Sequence, residues 1–474
     1  MIDVKGINRQ QLENLDKESL IELVLTLAER IQKLEDQVAK TSRNSSKPPS
    51  SDGLKKAKTR SLRQKGQRPS GGQVGHEGQT LQMVAEPQFV IPHPLPRCRD
   101  CGTSLADVAN SRIEKRQVFD IPPVQLEVTE HQAEVKECPH CHKEVKADFP
   151  IGVTQPVQYG NRLRAQISYL NNYQLLPWQR TCDLIEDFYQ HRPAQGLIPS
   201  SNEQLVTSLE PSLAEIWRQL QQAEVAHFDE SGVRVVGKLH WLHVASTPTL
   251  TYYGVAPKRG QEGMDAIGIL PEFRGRALHD HWQSYFSYNQ CEHGLCNAHH
   301  LRELAFIVEQ YEQAWAQDMV QLLLAIKDEV EHLPDELRAL PTDRLEAYSQ
   351  QYDSLIAQGL AVNPQPPQPA GKRGRKQQTP PKNLLDRLQT YKAETLAFMY
   401  DRRVPFDNNL AERDVRMVKV KQKVSGSFRT ISGAETFCAI RSYISTVRKH
   451  GYNVIHQIYY AFNSNPFIPL TLDG

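Results

Sequence analysis

No apolar run in the sequence approaches the roughly 20 residues that a bilayer-spanning helix needs, so membrane-embedded functions are excluded. The start, MIDVKGINRQ, lacks an apolar stretch behind a basic end, and no secretory signal is expected. A cytosolic chain follows, and disulfides are rare there. Eight cysteines then point toward metal before disulfide. Net charge is nearly absent as well: 56 Lys and Arg stand against 55 Asp and Glu, for a total of +1. No internal repeat of solenoid period is found.

What is present is ordinary globular material, 39% hydrophobic and 23% charged, and 474 residues are enough for more than one domain. The neutral total hides local asymmetry. Between Lys40 and Arg68 there are ten Lys or Arg residues and one acid, Asp52. Lys55, Lys56, Lys58 and Arg60 form the densest part of that run. A second run is Lys372, Arg373, Arg375 and Lys376, and a third is Arg413, Arg416, Lys419, Lys421, Lys423 and Arg429. Clustered cations on a neutral chain suggest a polyanion met at chosen surfaces.

The pattern along the chain predicts a multidomain α+β protein. Residues 1–40 hold a helix whose seam alternates Leu20, Leu27 and Leu34 with Val24, Ile31 and Val38, an arrangement that favours a parallel two-stranded coiled coil. An amphipathic helix packed on its own chain would show the same seam. Residues 41–80 are rich in Ser, Pro, Gly and Lys and read as a basic flexible linker, or an arm that orders on phosphates. Residues 81–155 show strand-like alternation in RQVFDIP and VQLEVTEHQAEVKEC. Residues 156–222 read as helical, and 223–304 as three strands, a helix and a fourth strand in RALHD. Residues 305–385 are helical and end in a Pro-rich basic link; 386–450 are helical again, and 451–474 form a tail.

Cys98-Arg-Asp-Cys101 and Cys138-Pro-His-Cys141 are two CxxC turns separated by 36 residues. Each turn presents two thiolates, and two turns complete a four-sulfur shell around one structural zinc, so residues 81–155 are expected to form a zinc ribbon. The bland alternative is two unrelated cysteine pairs. Cys291, His293, Cys296, His299 and His300 make a second group. Cys296 and His299 have a ligand-like spacing, although packing at a strand end explains it equally well. Cys182 and Cys438 lie in apolar helical patterns and read as small core residues.

Three carboxylates stand out. Asp229 in AHFDESG falls at the end of a predicted strand, Asp280 in ALHDHW ends the fourth strand, and Glu412 in DNNLAERDVR lies on a later helix. Converging carboxylates without dedicated Cys or His ligands suit Mg²⁺ or Mn²⁺. Two such ions support in-line phosphoryl displacement. Each residue has a simpler reading too. A strand-terminal Asp often serves a turn, and Glu412 has Asn409 as a capping partner or Arg416 as an i, i+4 ion pair. Glu412, Arg416, Lys419 and Lys423 share one helical face, which places an acid beside a basic stripe.

Taken together, these blocks resemble the transposases of the insertion sequence 66 family over nearly the whole chain. The resemblance rests on NSSKPPSSDG and GGQVGHEGQTL, the two CxxC turns, FDESGVRV with HWLHVAST, LHDHWQSY, and VPFDNNLAERDVRMVKVKQKVSGSFRT. It implies a DDE-class enzyme with a ribonuclease H-like α/β catalytic core interrupted by a helical insertion. Asp229, Asp280 and Glu412 would be its catalytic residues and the ligands of two Mg²⁺ (or Mn²⁺) ions. Cys98, Cys101, Cys138 and Cys141 would hold one Zn²⁺. CNAHHLREL resembles the family's CxxH block but departs from it at Asn297, His300 and Leu301. The implied reaction is strand cleavage and strand transfer at the ends of an insertion sequence. The implied partners are double-stranded DNA, a second copy of the chain and accessory proteins of the same element, in the nucleoid of the cytoplasm. Arg416, Lys419, Lys423, Lys55, Lys56, Lys58 and Arg60 would contact phosphates. Two alternatives differ in outcome: a non-catalytic zinc-ribbon DNA-binding regulator with a degenerate core, and a ribonuclease H-like nuclease that cuts without joining.

Overall fold

A computed structural model of the chain describes residues 12–45, 81–365 and 378–470. Lys55, Lys56, Lys58 and Arg60, the rest of the linker from 46 to 80 and the basic link at 366–377 lie outside the described residues. Contacts divide the chain into two compact units. One comprises residues 1–56, 131–186 and 192–474; the other comprises 57–130 and 187–191.

The larger unit is built on a five-stranded mixed sheet. Its strands are β3 (Val225–Val235), β4 (Lys238–Ser246), β5 (Thr251–Ala256), β6 (Arg276–His279) and β7 (Glu292–Leu295). Their spatial order is β5-β4-β3-β6-β7. The first three form an antiparallel meander, and β6 and β7 run parallel to β3. Two short strands before these, β1 (Val135–Glu137) and β2 (Glu144–Lys146), form a separate hairpin.

Side chains alternate across a strand, so β3 serves two cores. Ala226 and Phe228 face one core with Ala245, Ala277 and Phe273, together with Ile216 and Leu220 of the helix Leu197–Gln222 (α4). Val233 and Val235 face the other with Leu242 and Val244, beneath Ala411, Val415 and Val418 of the helix Asn409–Ser425. Asp229 belongs to this second row. The remaining helices frame these layers. They are α1 (Lys17–Ala39), α2 (Asn161–Ser168), α3 (Trp178–Tyr189), α5 (Gln261–Ile267), α6 (Asn297–Tyr311), α7 (Ala314–Glu331), α8 (Thr342–Val362) and α9 (Pro380–Thr390). After two single turns follow α10 (Asn409–Ser425), α11 (Ile431–Lys449) and α12 (Val454–Phe462). The helical segment expected at 305–385 packs α6 to α9 around Trp315, Met319, Tyr352 and Leu385, and Leu278 of β6 joins that same core.

Two local expectations need correction. Asp229 does not end its strand: β3 continues through Val235 into the hairpin with β4. FDESGVRV contains no Pro and keeps a buried odd-numbered row through Ser231, Val233 and Val235, so pairing with β4 persists. Second, the alternation in residues 81–155 yields far less sheet than it suggests. RQVFDIP forms no strand, and VQLEVTEHQAEVKEC contributes only β1. Val118 and Val128 are about nine-tenths exposed, at 91% and 89%. An alternating row stabilises a sheet only where one face finds a core to bury it.

At the N-terminal end, Asp16 caps α1 by accepting from the Ser19 N–H (2.8 Å). The far end of α1 rests on α6. Tyr311 donates to Asp36 (2.7 Å), Asn44 donates to Glu309 (2.9 Å), and Lys40 lies over the Phe306 ring. The heptad seam is not what docks, because Val24, Ile31, Leu34 and Val38 are all exposed. No helix among the described residues is long and apolar enough to cross a membrane.

Candidate active site

β6 pairs with β3 in parallel through Val225–Arg276, Ala226–Ala277 and His227–Leu278. Asp229 and Asp280 each lie two residues beyond that last row, Asp229 within β3 and Asp280 just past the end of β6. β6 stops at His279, while β3 continues alone on that side until Val235 bridges to Phe428. The exposed stretch of β3 backbone is covered from the helical side. Asn408 Nδ2 donates to the Phe228 carbonyl (2.8 Å), and Lys419 Nζ donates to the Gly232 carbonyl (2.6 Å).

Burial raises the pKa of Asp229 well above the usual carboxylate range. The negative charges of Glu230, Asp280 and Glu412 add to the effect, and the Glu230 N–H donating to Oδ1 (2.8 Å) opposes it. Burial, then Glu230, pushes Asp280 up to about 6, against the Trp282 N–H bonded to Oδ1 (2.8 Å) and the charge of Arg259. Buried acids that repel one another in this way favour a cation or a proton between them. Glu412 reaches the cluster from the first turn of α10. Its Oε1 is buried and has no hydrogen-bond partner among the described residues. The charges of Asp280 and Glu412 are both felt at Asp229, so the three expected acids lie in one neighbourhood.

Glu412 is not part of a capping box. The residue preceding α10 is Asn408, not Asn409, and its side chain bonds His227 (2.9 Å) rather than the helix end. The expected i, i+4 pair with Arg416 is present at 3.7 Å. Around Glu412 stand His299 Nδ1 and Arg302 Nη2, both 3.8 Å from Oε1. Arg416, Lys419 and Lys423 are all exposed, and Lys419 is also tied to Gly232, with partial burial lowering its pKa.

Several members of the site carry no distinctive sequence signal. Glu230, two per cent exposed at its side chain, accepts from Arg259 (2.8 Å) and from the Tyr285 hydroxyl (2.5 Å). Arg259 in turn stacks on Trp282, 4.1 Å from the ring centre. This network fixes the residue next to Asp229.

The cysteine turns share one geometry, each within its own part of the chain. The Cys98 N–H donates to Thr103 O and the Gly102 N–H to Cys98 O; likewise Cys138 donates to Lys143 O and His142 to Cys138 O. Gly102 and His142 take the left-handed conformation that closes such a turn, at φ 75° and 55°. A hydrogen bond with Thr103, then Cys98, lowers Cys101 to about 7, and the turn's N–H groups and Cys141 lower Cys138. Backbone N–H groups aimed at sulfur favour the thiolates that zinc binds.

Comparison with known families agrees with these features. A family model described as "Transposase IS66 family" matches residues 156–436. A second, the "zinc-finger binding domain of transposase IS66", matches residues 96–142, which span all four cysteines. A third, a family of unknown function, matches residues 8–82. No curated protein matches the chain. The class is thus a transposase that carries a zinc-finger domain. The chain belongs to the IS66 family of transposases, whose model covers more than half of its length.

Proposed function

We propose that the chain cleaves DNA at the ends of an insertion sequence and joins the freed strand to a target, using two Mg²⁺ or Mn²⁺ ions at Asp229, Asp280 and Glu412. The observation that carries this reading is the set of three half-buried acids: Asp229 and Asp280 with raised pKa, and Glu412 with one oxygen that lacks a hydrogen-bond partner among the described residues. Such a donor set, all oxygen and rich in negative charge, fits hard divalent cations. The sheet order, three antiparallel strands followed by two parallel ones with helices on both faces, supports a ribonuclease H-like core.

The ions, when bound, would offset charge on the attacking and leaving oxygens of an in-line displacement. The chain's own groups do the remaining work. Asp229, Asp280 and Glu412 would hold the ions through their carboxylate oxygens. Arg416 and Lys423 hold phosphates along the exposed face of α10. A water attacks phosphorus at the element end, the bond to the 3′ oxygen breaks, and a 3′-hydroxyl is freed. That hydroxyl then attacks a target phosphodiester and displaces its 3′ oxygen. Cys98, Cys101, Cys138 and Cys141 would hold one Zn²⁺ in the DNA-binding finger, with the linker cations Lys55, Lys56, Lys58 and Arg60 adding phosphate contacts. Pairing of two copies through α1 would bring two ends together, with accessory proteins of the element assisting in the nucleoid.

The test is strand transfer with element-end DNA and Mg²⁺. Asp229→Asn, Asp280→Asn and Glu412→Gln are each expected to lower joining by more than about 10²-fold while DNA binding persists. Joining that survives in all three variants removes the assignment. Cut but unjoined strands from the wild type select a nuclease, and binding indifferent to Mg²⁺ with no cutting selects a regulator.

A further inference from the structure

One cluster beside the acids shares only Glu412 with the reaction just described. Cys296 ends the connection after β7, His299 lies in the first turn of α6, and Glu412 lies in the first turn of α10. Their ligand atoms all lie within 4.8 Å of one another. His299 Nδ1 and Glu412 Oε1 are both buried and both lack a hydrogen-bond partner among the described residues, and they face each other at 3.8 Å. We infer that Cys296, His299 and Glu412 form a second transition-metal site, suited to zinc and separate from the cysteine turns.

The donor chemistry is that of a borderline metal. One thiol, one imidazole and one carboxylate give the mixed sulfur, nitrogen and oxygen set that zinc accepts, with a fourth position left for water or substrate. Ligand atoms on one tetrahedral zinc lie roughly 3.5 Å apart, so the present spread closes with small side-chain rotations. The His299 Nδ1 is buried and has no hydrogen-bond partner among the described residues, so it is placed to serve as a ligand atom. A bound cation would hold the Cys296 sulfur as the thiolate. The Asn408 N–H already donates to Cys296 Sγ (3.1 Å), the kind of bond that supports a metal-bound thiolate. Arg302, 3.8 Å from the same Glu412 oxygen, balances that charge while the site holds no ion.

The consequence concerns Glu412. An ion there would tie α10 to the start of α6 and hold Oε1, leaving Oε2, which lies 3.7 Å from Arg416. This goes beyond the proposed reaction and shares only Glu412 with it.

The test is metal content of the full-length chain, purified without chelator. About two zinc ions per chain are expected in the wild type, and about one in Cys296→Ser and in His299→Gln. The Cys98→Ser/Cys101→Ser variant should lose only the other ion, and Asp229→Asn should keep both. In that cysteine-turn variant, added Co²⁺ should give a thiolate charge-transfer band that Cys296→Ser abolishes. One zinc per chain in the wild type, or full zinc in a folded Cys296→Ser protein, overturns the inference. Wild-type stoichiometry decides the matter even where a variant fails to fold. Strand transfer enters none of these readings, so the outcome is independent of whether the chain joins DNA.

Discussion

Asn408, the residue just before the helix that carries Glu412, bonds His227, two residues before Asp229. Because its Nδ2 donates to the Phe228 carbonyl, its Oδ1 is the acceptor and His227 Nδ1 the donor. Burial lowers the His227 pKa, and a neutral ring suits that role. The pair locks helix to strand at the point where the acids meet.

Asn408→Ala strips a partner from the buried His227 nitrogen and from the Phe228 carbonyl. Each unsatisfied group costs roughly 1–3 kcal/mol. A loss of about 2–4 kcal/mol in unfolding free energy is expected, readable by denaturant titration. Mg²⁺-dependent cleavage should fall about 10- to 100-fold, as for other groups that orient metal ligands. Unchanged stability would show that the bond is not formed in solution.

The acids themselves predict a pH dependence. Folded Asp280 keeps its proton to about 6, against 3.8 as the ordinary value. Between these values the folded state binds more protons than the unfolded chain, so stability falls as pH rises through the window. Asp229 shifts in the same direction. Compared with Asp280→Asn, which cancels the other acids, the metal-free wild type should lose on the order of 2–3 kcal/mol between pH 4 and pH 7. Mg²⁺ should restore the loss at pH 7. Parallel melting curves for the two proteins across that range would refute the burial of Asp280.

Binding of DNA should divide the cations of α10. Arg416→Ala and Lys423→Ala each remove an exposed charge, and each should reduce the slope of log affinity against log salt by about 0.9. Lys419→Ala should change that slope less and stability more, because its ammonium serves the Gly232 carbonyl. Equal slopes for all three would place Lys419 on the phosphates instead.

The seam of α1 offers a fourth check. Leu34 is exposed, so Leu34→Glu should leave the fold intact. If two copies pair through that seam, the variant should sediment as a monomer where the wild type is a dimer. A monomeric wild type at high concentration would remove the pairing.

Much of this site was legible in the sequence because its blocks are local. FDESGVRV and LHDHWQSY each carry a strand and its acid together, and the CxxC turns announce their own geometry. What escaped was long-range. Nothing in the sequence near Cys296 says that Glu412, far along the chain, will stand beside it. The spacing of Cys296 and His299 was equally consistent with packing. The alternation around Val118 and Val128 misled for a related reason: periodicity records which side chains would share a face, but not whether a core exists to cover them. Asp229 was misplaced at a strand end because its acidic neighbours resemble a turn, whereas Glu230 is neutralised by Arg259, a contact between distant segments.

The bonds from Asn408 to β3 join residues 180 and 181 positions apart. A chain emerging from the ribosome therefore displays both aspartates long before the third acid exists. Contacts of such range close slowly. Any product that stops before Asn408 carries two members of the cluster and no helix to complete it. The cutting proposed above would then depend on the segment from Asn408 onward having folded against β3.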